Sequence, residues 1–488
     1  MAEAIPRSYS SIEKDEVINE TPGTNIDPEA EKKLLRKCDL RVLPPLFVIF
    51  LLAFLDRTNI GNAKIQGLTR DLHMEGPNSV RYNIALFIFF IPYVLFEVPS
   101  NLILKKLAPS TWLSLIMVLW GFSTIGMGLV NTWGGLVAMR FILGIFEAGI
   151  FPGGVYLISM YYKRYELQWR LTLFFSASIL AGAFGGLLAY VLAKMDGLAN
   201  YGGWRWIFII EGAATVVVGL LTKFWLVDWP ETASFLNDAE RSLLLARLSS
   251  DTGDASMDRL DKRAAKRIVG DPKMYLGSLA YFGVVTCSNS GSFFIPTIIH
   301  ELGYKASDAQ VRTIPIYIVA FVVALALAWL TDRLQHRYWF CMTGLVIATV
   351  GYIMLLAQNN LSIGVKYFAL FLIIPGQFVT QPIVLVWLSN LMSGHYKRSV
   401  SSAVQVSFGN LGGIIASNIF IGPEAPKYPT GYGTCLGMLG ICAVACTSLF
   451  WLVKSENKKR ERGERDWRLQ EPDADNLGDD HPAFRLTT

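Results

Sequence analysis

The chain has 488 residues, 52% of them hydrophobic and only 17% charged, with a net charge of +5. A soluble domain carries roughly 25% charged residues, whereas here apolar runs recur that are long enough to cross ~30 Å of hydrocarbon. The composition excludes an ordinary soluble protein. The positive balance is not a nucleic-acid footprint either, because Lys and Arg cluster beside the apolar runs as membrane topology demands.

In chain order, residues 1–40 read as a polar tail with no early apolar core and no evident cleavable signal peptide. Six spans follow at about 41–61, 82–104, 111–130, 135–161, 170–193 and 205–227, forming an N-terminal bundle over 41–227. A polar loop at 228–272 contains ETASFLNDAERSLLLARLSS and DRLDKRAAKRIVGD, which read as short amphipathic surface helices. Six more spans are expected at about 274–298, 312–331, 338–357, 364–391, 399–421 and 431–453, giving a second bundle over 273–453 and a polar tail at 454–488. The expected fold class is all-α integral membrane: twelve transmembrane helices in two six-helix repeats around a central cavity.

Positive charge sets the expected orientation. Lys32, Lys33, Arg36 and Lys37 precede span 1, Lys262, Arg263, Lys266 and Arg267 end the central loop, and Lys454, Lys458, Lys459 and Arg460 follow span 12. In a twelve-span layout these segments share one side, so both termini are expected to be cytoplasmic. Trp204 and Trp206 suit an outer interfacial belt.

Arg140, Gly144 and Glu147 interrupt the apolar run of span 4, LVAMRFILGIFEAGIFPGG. Charges inside a membrane are expensive and mark an ion or substrate path. Seven residues are two helical turns, so Arg140 and Glu147 share a face with about 10 Å between them along the axis. Span 1 ends LAFLDRTNIGNAKIQGL, which places Arg57 at a depth similar to Arg140. Guanidinium groups favour carboxylates because they donate two parallel hydrogen bonds. The bland readings stay beside this one: Arg57 paired with Asp56 or a carbonyl, and Arg140 paired with Glu147, each fixing helix packing only. Asn289, Gln377 and Gln381 are candidate neutral partners for a substrate, or helix-to-helix hydrogen bonds. Glu97 fits a gate or packing network better than a substrate contact, and Glu211 fits a structural partner; neither is assigned a function. Pro92, Pro99, Pro152, Pro296, Pro375 and Pro382 break regular hydrogen bonding within spans.

The set LDRTNIGNAKI, FEVPSN, RFILGIFEAGIFPG, GWRWIFIIEG and SFFIPTII, in that order over about residues 30–460, resembles the anion:cation symporter branch of the major facilitator superfamily. It is most similar to the fungal permeases for allantoate, nicotinate, pantothenate and related organic anions. AWLTDRLQHR after span 8 resembles the family's loop motif through Asp332, Arg333 and Arg337, with both glycines replaced, by Ala328 and Gln335. In the equivalent loop after span 2, Lys105 stands at the Asp position. The resemblance implies substrate-binding roles for Arg57 and Arg140, proton coupling at Glu147, and gating by Asp332, Arg333 and Arg337. The resemblance extends to the more distant vesicular glutamate carriers, which share the Arg of span 1 and the Arg and Glu of span 4; their His in span 2 and Arg in span 7 have no counterpart here, and span 7 offers Ser288, Asn289 and Ser290 instead.

Other classes fit poorly. No GxxxxGK[ST] loop is present, no nucleophile–base pair or metal cluster is visible, and span 5 lacks the Gly-Pro motif of drug antiporters. Cys435, Cys442 and Cys446 share a helical face and read as packing residues. The expectation is a monomeric, multi-pass plasma-membrane carrier that imports a small organic anion such as nicotinate with protons. It needs no cofactor beyond the proton gradient, no metal, no nucleic acid and no partner besides the bilayer. Export of a carboxylated metabolite, and a nutrient sensor, are the alternatives; a sensor predicts large soluble signalling domains, and none is visible.

Overall fold

The computed structural model describes residues 28–75, 80–163, 166–250, 262–334, 336–393, 395–471 and 476–487. Twelve long helices are found among them. The N-terminal half holds α1 (Pro28–Ala63), α2 (Arg81–Lys106), α3 (Pro109–Leu129), α4 (Trp133–Ser159), α5 (Leu167–Leu192) and α6 (Gly203–Trp225). The C-terminal half holds α7 (Pro272–Glu301), α8 (Ala306–Leu334), α9 (Tyr338–Leu356), α10 (Ile363–Leu391), α11 (His395–Asn418) and α12 (Pro429–Glu461). Eleven of these are long and apolar enough to cross a membrane. The exception is α11, whose first two turns, HYKRSVSS, are polar.

Sequence punctuation sets the helix ends. Proline opens α3, α7 and α12, where its missing N–H is no loss. The Thr132 hydroxyl caps α4 by accepting from the Gly135 N–H at 3.2 Å. Two helices loosen internally, α2 at Ile88–Phe89 and α4 at Ala148–Gly149. Each interruption begins four residues before a proline, Pro92 or Pro152, which has no N–H for that carbonyl. Pro99, Pro296, Pro375 and Pro382 sit inside continuous helices instead.

Burial separates inner from outer helices. The apolar windows of α7 and α10 are 94% and 89% buried, whereas those of α8 and α12 are 33% buried. The outer faces carry exposed Val217, Leu221 and Phe224 on α6, Val322 on α8, Val346 on α9 and Val444 on α12. Such apolar exposure would be a liability in water and suits lipid.

The halves meet through α2 against α11, α5 against α8, and α1 against α7. Contacts at the end remote from the termini are tight. A Cβ on Gly61 of α1 would lie 2.6 Å from the Phe293 carbonyl oxygen of α7. Gln66 donates to Gln310 at 3.1 Å, and the Tyr82 and Phe294 rings meet edge to face. At the termini end the halves part around a cavity.

That end also gathers the polar segments. Surface helices Asp238–Ser250 and Lys262–Val269 form in the central loop. Arg247, fully buried, joins Glu31 at 2.5 Å and also Glu166, and Lys37 meets Glu240 at 2.6 Å. Helix α1 begins at Pro28 rather than near residue 41, because Leu34 and Cys38 pack inward from an otherwise charged segment. Residues 476–487 fold back beneath the C-terminal half. Asp479 lies buried between Lys273 (2.5 Å) and Lys397 (2.9 Å), and Lys397 also reaches Asp271 at 2.7 Å. Trp387 donates to the Thr487 carbonyl at 3.0 Å. Trp204 is buried within the bundle, and its indole N–H donates to Asp71 at 2.8 Å.

Candidate functional site

Asp56 and Arg57 are neighbours in sequence but point apart, because successive helical residues are about 100° apart around the axis. Asp56 turns into the N-terminal half, accepting from the Trp120 indole at 2.9 Å and the Thr215 hydroxyl at 2.8 Å. One turn on, Asn59 donates to Glu211 at 2.5 Å. Pairing of Arg57 with Asp56 is thereby ruled out, and Glu211 has the structural partner that α6 needs.

Arg57 crosses instead to α4. Its Nε donates to Glu147 Oε1 at 2.9 Å, and an Nη donates to the same oxygen. The two side chains are 6% and 1% exposed, so the pair is shielded from water on all sides. Phe54, Phe89 and Tyr93 each hold their ring centroid 5.0 Å from the guanidinium carbon. This aromatic cage stabilises a cation by its negative ring faces. Sequence reasoning did not single out Phe89 and Tyr93; their spacing of four on α2, which puts both on one face, was the available signal.

Arg140 is fully buried two turns away. It does not touch Glu147, as the axial distance dictates. Its Nε donates to the Ala85 carbonyl and an Nη to the Arg57 carbonyl, both at 3.2 Å. Its second Nη and Glu147 Oε2 have no partner among the described residues. Gly144 makes this geometry possible: an added Cβ would collide with the Phe89 carbonyl oxygen, so only glycine lets α4 come this near α2. The Phe89 ring then serves both arginines, at 5.6 Å from Arg140.

The C-terminal half contributes neutral groups. Asn289 on α7 and Gln381 on α10 are also buried, at 5% and 8% exposure. Gln381 lies beside Tyr281, which is within electrostatic reach of Arg57 and Glu97 across the interface. Gln377 is engaged within its own half, donating to the Tyr352 hydroxyl of α9 at 2.6 Å. Glu97 is buried where α2 faces Ser407 and Asn410 of α11. Of the loop residues after α8, Arg333 is exposed over the Trp329 ring at 5.4 Å and Arg337 is half-buried. The Asp332 side chain lies outside the described residues.

The site is thus a buried cluster of two guanidiniums, one carboxylate and an aromatic cage in one half, with amide and phenol groups of the other half nearby. The sequence profile of the Major Facilitator Superfamily matches residues 46–417. The chain belongs to the major facilitator superfamily. It is 37% identical to an uncharacterized transporter of Schizosaccharomyces pombe, covering 90% of this chain and 87% of that one. It is 36% identical to the MFS-type transporter cnsO of Penicillium expansum, covering 94% and 90%. It is 33% identical to the major facilitator-type transporter hxnP of Emericella nidulans, covering 90% and 88%. Among solved folds it resembles a bacterial homolog of the human lysosomal transporter Spinster in an inward-facing, occupied conformation, with TM-score 0.61 and 17% identity over 84% of this chain and 96% of that one. It also resembles a D-xylose–proton symporter, with TM-score 0.64 and 14% identity over 85% and 97%. The protein is therefore a multi-pass membrane transporter of the superfamily, not an enzyme, and its cargo is a small molecule.

Proposed function

We propose that this transporter moves a small organic anion, a carboxylate of the nicotinate, allantoate or pantothenate kind, together with protons. The observation that carries the reading is the buried Arg57–Glu147 pair beside Arg140, with one atom on each of Glu147 and Arg140 that has no partner among the described residues. In the empty carrier Glu147 is ionised and occupies Arg57. Protonation of Glu147 releases that guanidinium, whose two N–H groups then take a carboxylate while Arg140 offers its open Nη. Charge bookkeeping supports one proton per monoanion. Two guanidiniums with one carboxylate carry a single net positive charge, and so do two guanidiniums with a neutral carboxyl and a bound monoanion. A low-dielectric site resists any larger change.

Asn289, Gln377 and Gln381 are proposed to receive the rest of the substrate, with Tyr281 and Tyr93 beside them. Alternating access follows from the two halves rocking about this midplane site. The conformer described, closed at Gly61–Phe293 and open at the termini end, is read as inward-facing, with both termini cytoplasmic, the chain monomeric in the plasma membrane, and Asp332, Arg333 and Arg337 in the gate. Uptake of labelled carboxylates into proteoliposomes, with and without an inward proton gradient, tests the reading. Gradient-driven accumulation of at least one carboxylate is expected; accumulation of none of them, or independence from the gradient, would refute it.

A further inference from the structure

Glu97 is a buried acid that the mechanism above leaves unused. It lies on α2 with no exposure, and neither carboxyl oxygen makes a hydrogen bond among the described residues. The other buried acids of the N-terminal spans all have donors: Asp56 has Trp120 and Thr215, Glu147 has Arg57, and Glu211 has Asn59. A carboxylate with neither a cation nor a donor is too costly to bury, so Glu97 is accommodated as the neutral acid. Few titratable groups face it. Tyr93 stands one turn before it on α2, Arg57 of α1 and Tyr281 of α7 are within electrostatic reach, and α11 presents the neutral Ser407 and Asn410. Helix α3 carries no titratable residue. Those of α4 are engaged elsewhere: Glu147 with Arg57, Arg140 with the Ala85 and Arg57 carbonyls, and Tyr156 under Lys105.

Two features put this acid on a route between the centre and the termini end. Tyr93 holds its ring over Arg57 and is within electrostatic reach of both Glu147 and Glu97. The cavity where the halves part has a volume of about 290 Å³, and Val98 and Asn101 of α2 and Val406 of α11 are in its wall. Water needs about 30 Å³ per molecule, so the cavity is roomy enough to be wet. Glu97 precedes Val98 in the chain and lies one turn from Asn101, and Ser407, which faces it, follows Val406. The carboxyl therefore adjoins the cavity wall without opening into it. A small parting of α2 from α11 would bring water to it.

We propose that Glu97 is the proton exit of the carrier, the group that passes the coupled proton from Glu147 to water at the termini end. The inference rests on the proton-coupled reading above and deepens it. When α2 and α11 part, the Glu97 carboxyl gives its proton to water in the cavity. The resulting carboxylate is reprotonated from the Glu147 carboxyl by way of the Tyr93 hydroxyl, which hands its own proton on as it takes one. Glu147 is left ionised and re-forms its pair with Arg57. One proton leaves per cycle, and Glu97 is buried only as the neutral acid. The conformer described, with Arg57 and Glu147 paired and Glu97 sealed without a donor, corresponds to the state after that transfer.

The test uses the purified full-length carrier, and its first part needs no substrate. Infrared spectra in nanodiscs at neutral pH report the C=O stretch of protonated carboxyls, recognised by its shift in heavy water. The parent-minus-Glu97→Gln difference should contain one such band; its absence means that Glu97 is ionised and overturns the proposal. The second part uses proteoliposomes and labelled nicotinate, allantoate and pantothenate. Glu97→Gln should lower gradient-driven uptake about tenfold or more, because the exit group can no longer give up a proton. Counterflow exchange, which leaves the proton on Glu147, should stay within about twofold of the parent protein. Glu97→Asp keeps a carboxyl and should restore much of the uptake. Tyr93→Phe keeps the ring over Arg57 and should slow uptake more than exchange; equal rates of both would overturn the Tyr93 step. Parent-level uptake in Glu97→Gln overturns the exit role, and equal loss of uptake and exchange in Gln and Asp variants makes Glu97 a packing residue. Gradient-driven uptake of none of the three by the parent protein refutes proton coupling itself, and the exit falls with it whether or not the infrared band is present.

Discussion

Replacing Glu147 by Gln should remove the pH dependence of anion binding while leaving the protein folded. Gln keeps the shape and an oxygen for Arg57, so the 2.9 Å contact persists as a neutral-acceptor hydrogen bond. A charge-assisted bond contributes about 1.5–3 kcal/mol and a neutral one about 0.5–1.5 kcal/mol, so the arginine is held less tightly by on the order of 1 kcal/mol. Loss of one partner of a buried pair usually costs about 3–5 kcal/mol, because an uncompensated charge remains. Here the three rings at 5.0 Å offset part of that, at roughly 0.5–2 kcal/mol each. The net expectation is a stability loss of about 1–3 kcal/mol and a folded carrier with Arg57 available at every pH. In the parent protein, coupling of one proton to one anion makes affinity fall about tenfold per pH unit once Glu147 ionises, which is ~1.4 kcal/mol per unit. In the variant the same plot should be flat, at the affinity the parent protein shows in acid. Titration calorimetry across about pH 5 to 8 reads the slope, and uphill uptake against counterflow exchange reads the coupling. A variant that keeps the tenfold slope, or still accumulates substrate with the proton gradient, would place the proton elsewhere.

Arg57→Lys and Arg140→Lys should each weaken anion affinity about tenfold or more in carriers that reach the membrane, since an ammonium replaces a planar fork; unchanged affinity in both assigns them to packing alone. Gly144→Leu should force α4 away from the Phe89 carbonyl and cost about 1–3 kcal/mol of thermal stability, with loss of transport exceeding loss of folded protein. Gly61→Val should open the end remote from the termini by a similar energy, increasing the labelling of a cysteine placed at Gln310; labelling no faster than in the parent would show that this contact does not hold the closed end. Asp479→Asn should release the C-terminal segment, at a local cost of about 3–5 kcal/mol. Burial alone would raise the Asp479 carboxyl, but the ammonium groups of Lys273 and Lys397 outweigh it and hold its pKa well below the usual range. The stabilisation is therefore complete above the unfolded value of about 3.9 and is lost as pH falls through the folded one. Hydrogen exchange over 476–487, corrected for intrinsic rates, should show protection at neutral pH that fades in strong acid; protection unchanged in Asp479→Asn would refute the assignment.

The sequence by itself determined the class of molecule, an all-helical membrane protein. Apolar runs matched to a bilayer's thickness leave a helix as the only way to satisfy the backbone. The charges flanking those runs, and the polar loop dividing them six and six, are equally local features. Periodicity also put Arg140 and Glu147 on one face, and the axial rise kept them apart. It could not name the partner of either. A helical wheel fixes where a side chain points on its own helix, whereas the neighbour it meets depends on how helices rotate and cross. Only the packed bundle turned Asp56 towards Trp120 and Arg57 towards Glu147, and it sent Gln377 to Tyr352. The C-terminal segment makes the same point. Its composition reads as a solvated tail, yet Asp479 is buried, because Lys273 and Lys397 wait at the starts of two helices that are distant in sequence and adjacent in space. A charge is stable inside a protein only within a few ångströms of its counter-charge, and distances of that kind exist only once the chain has folded.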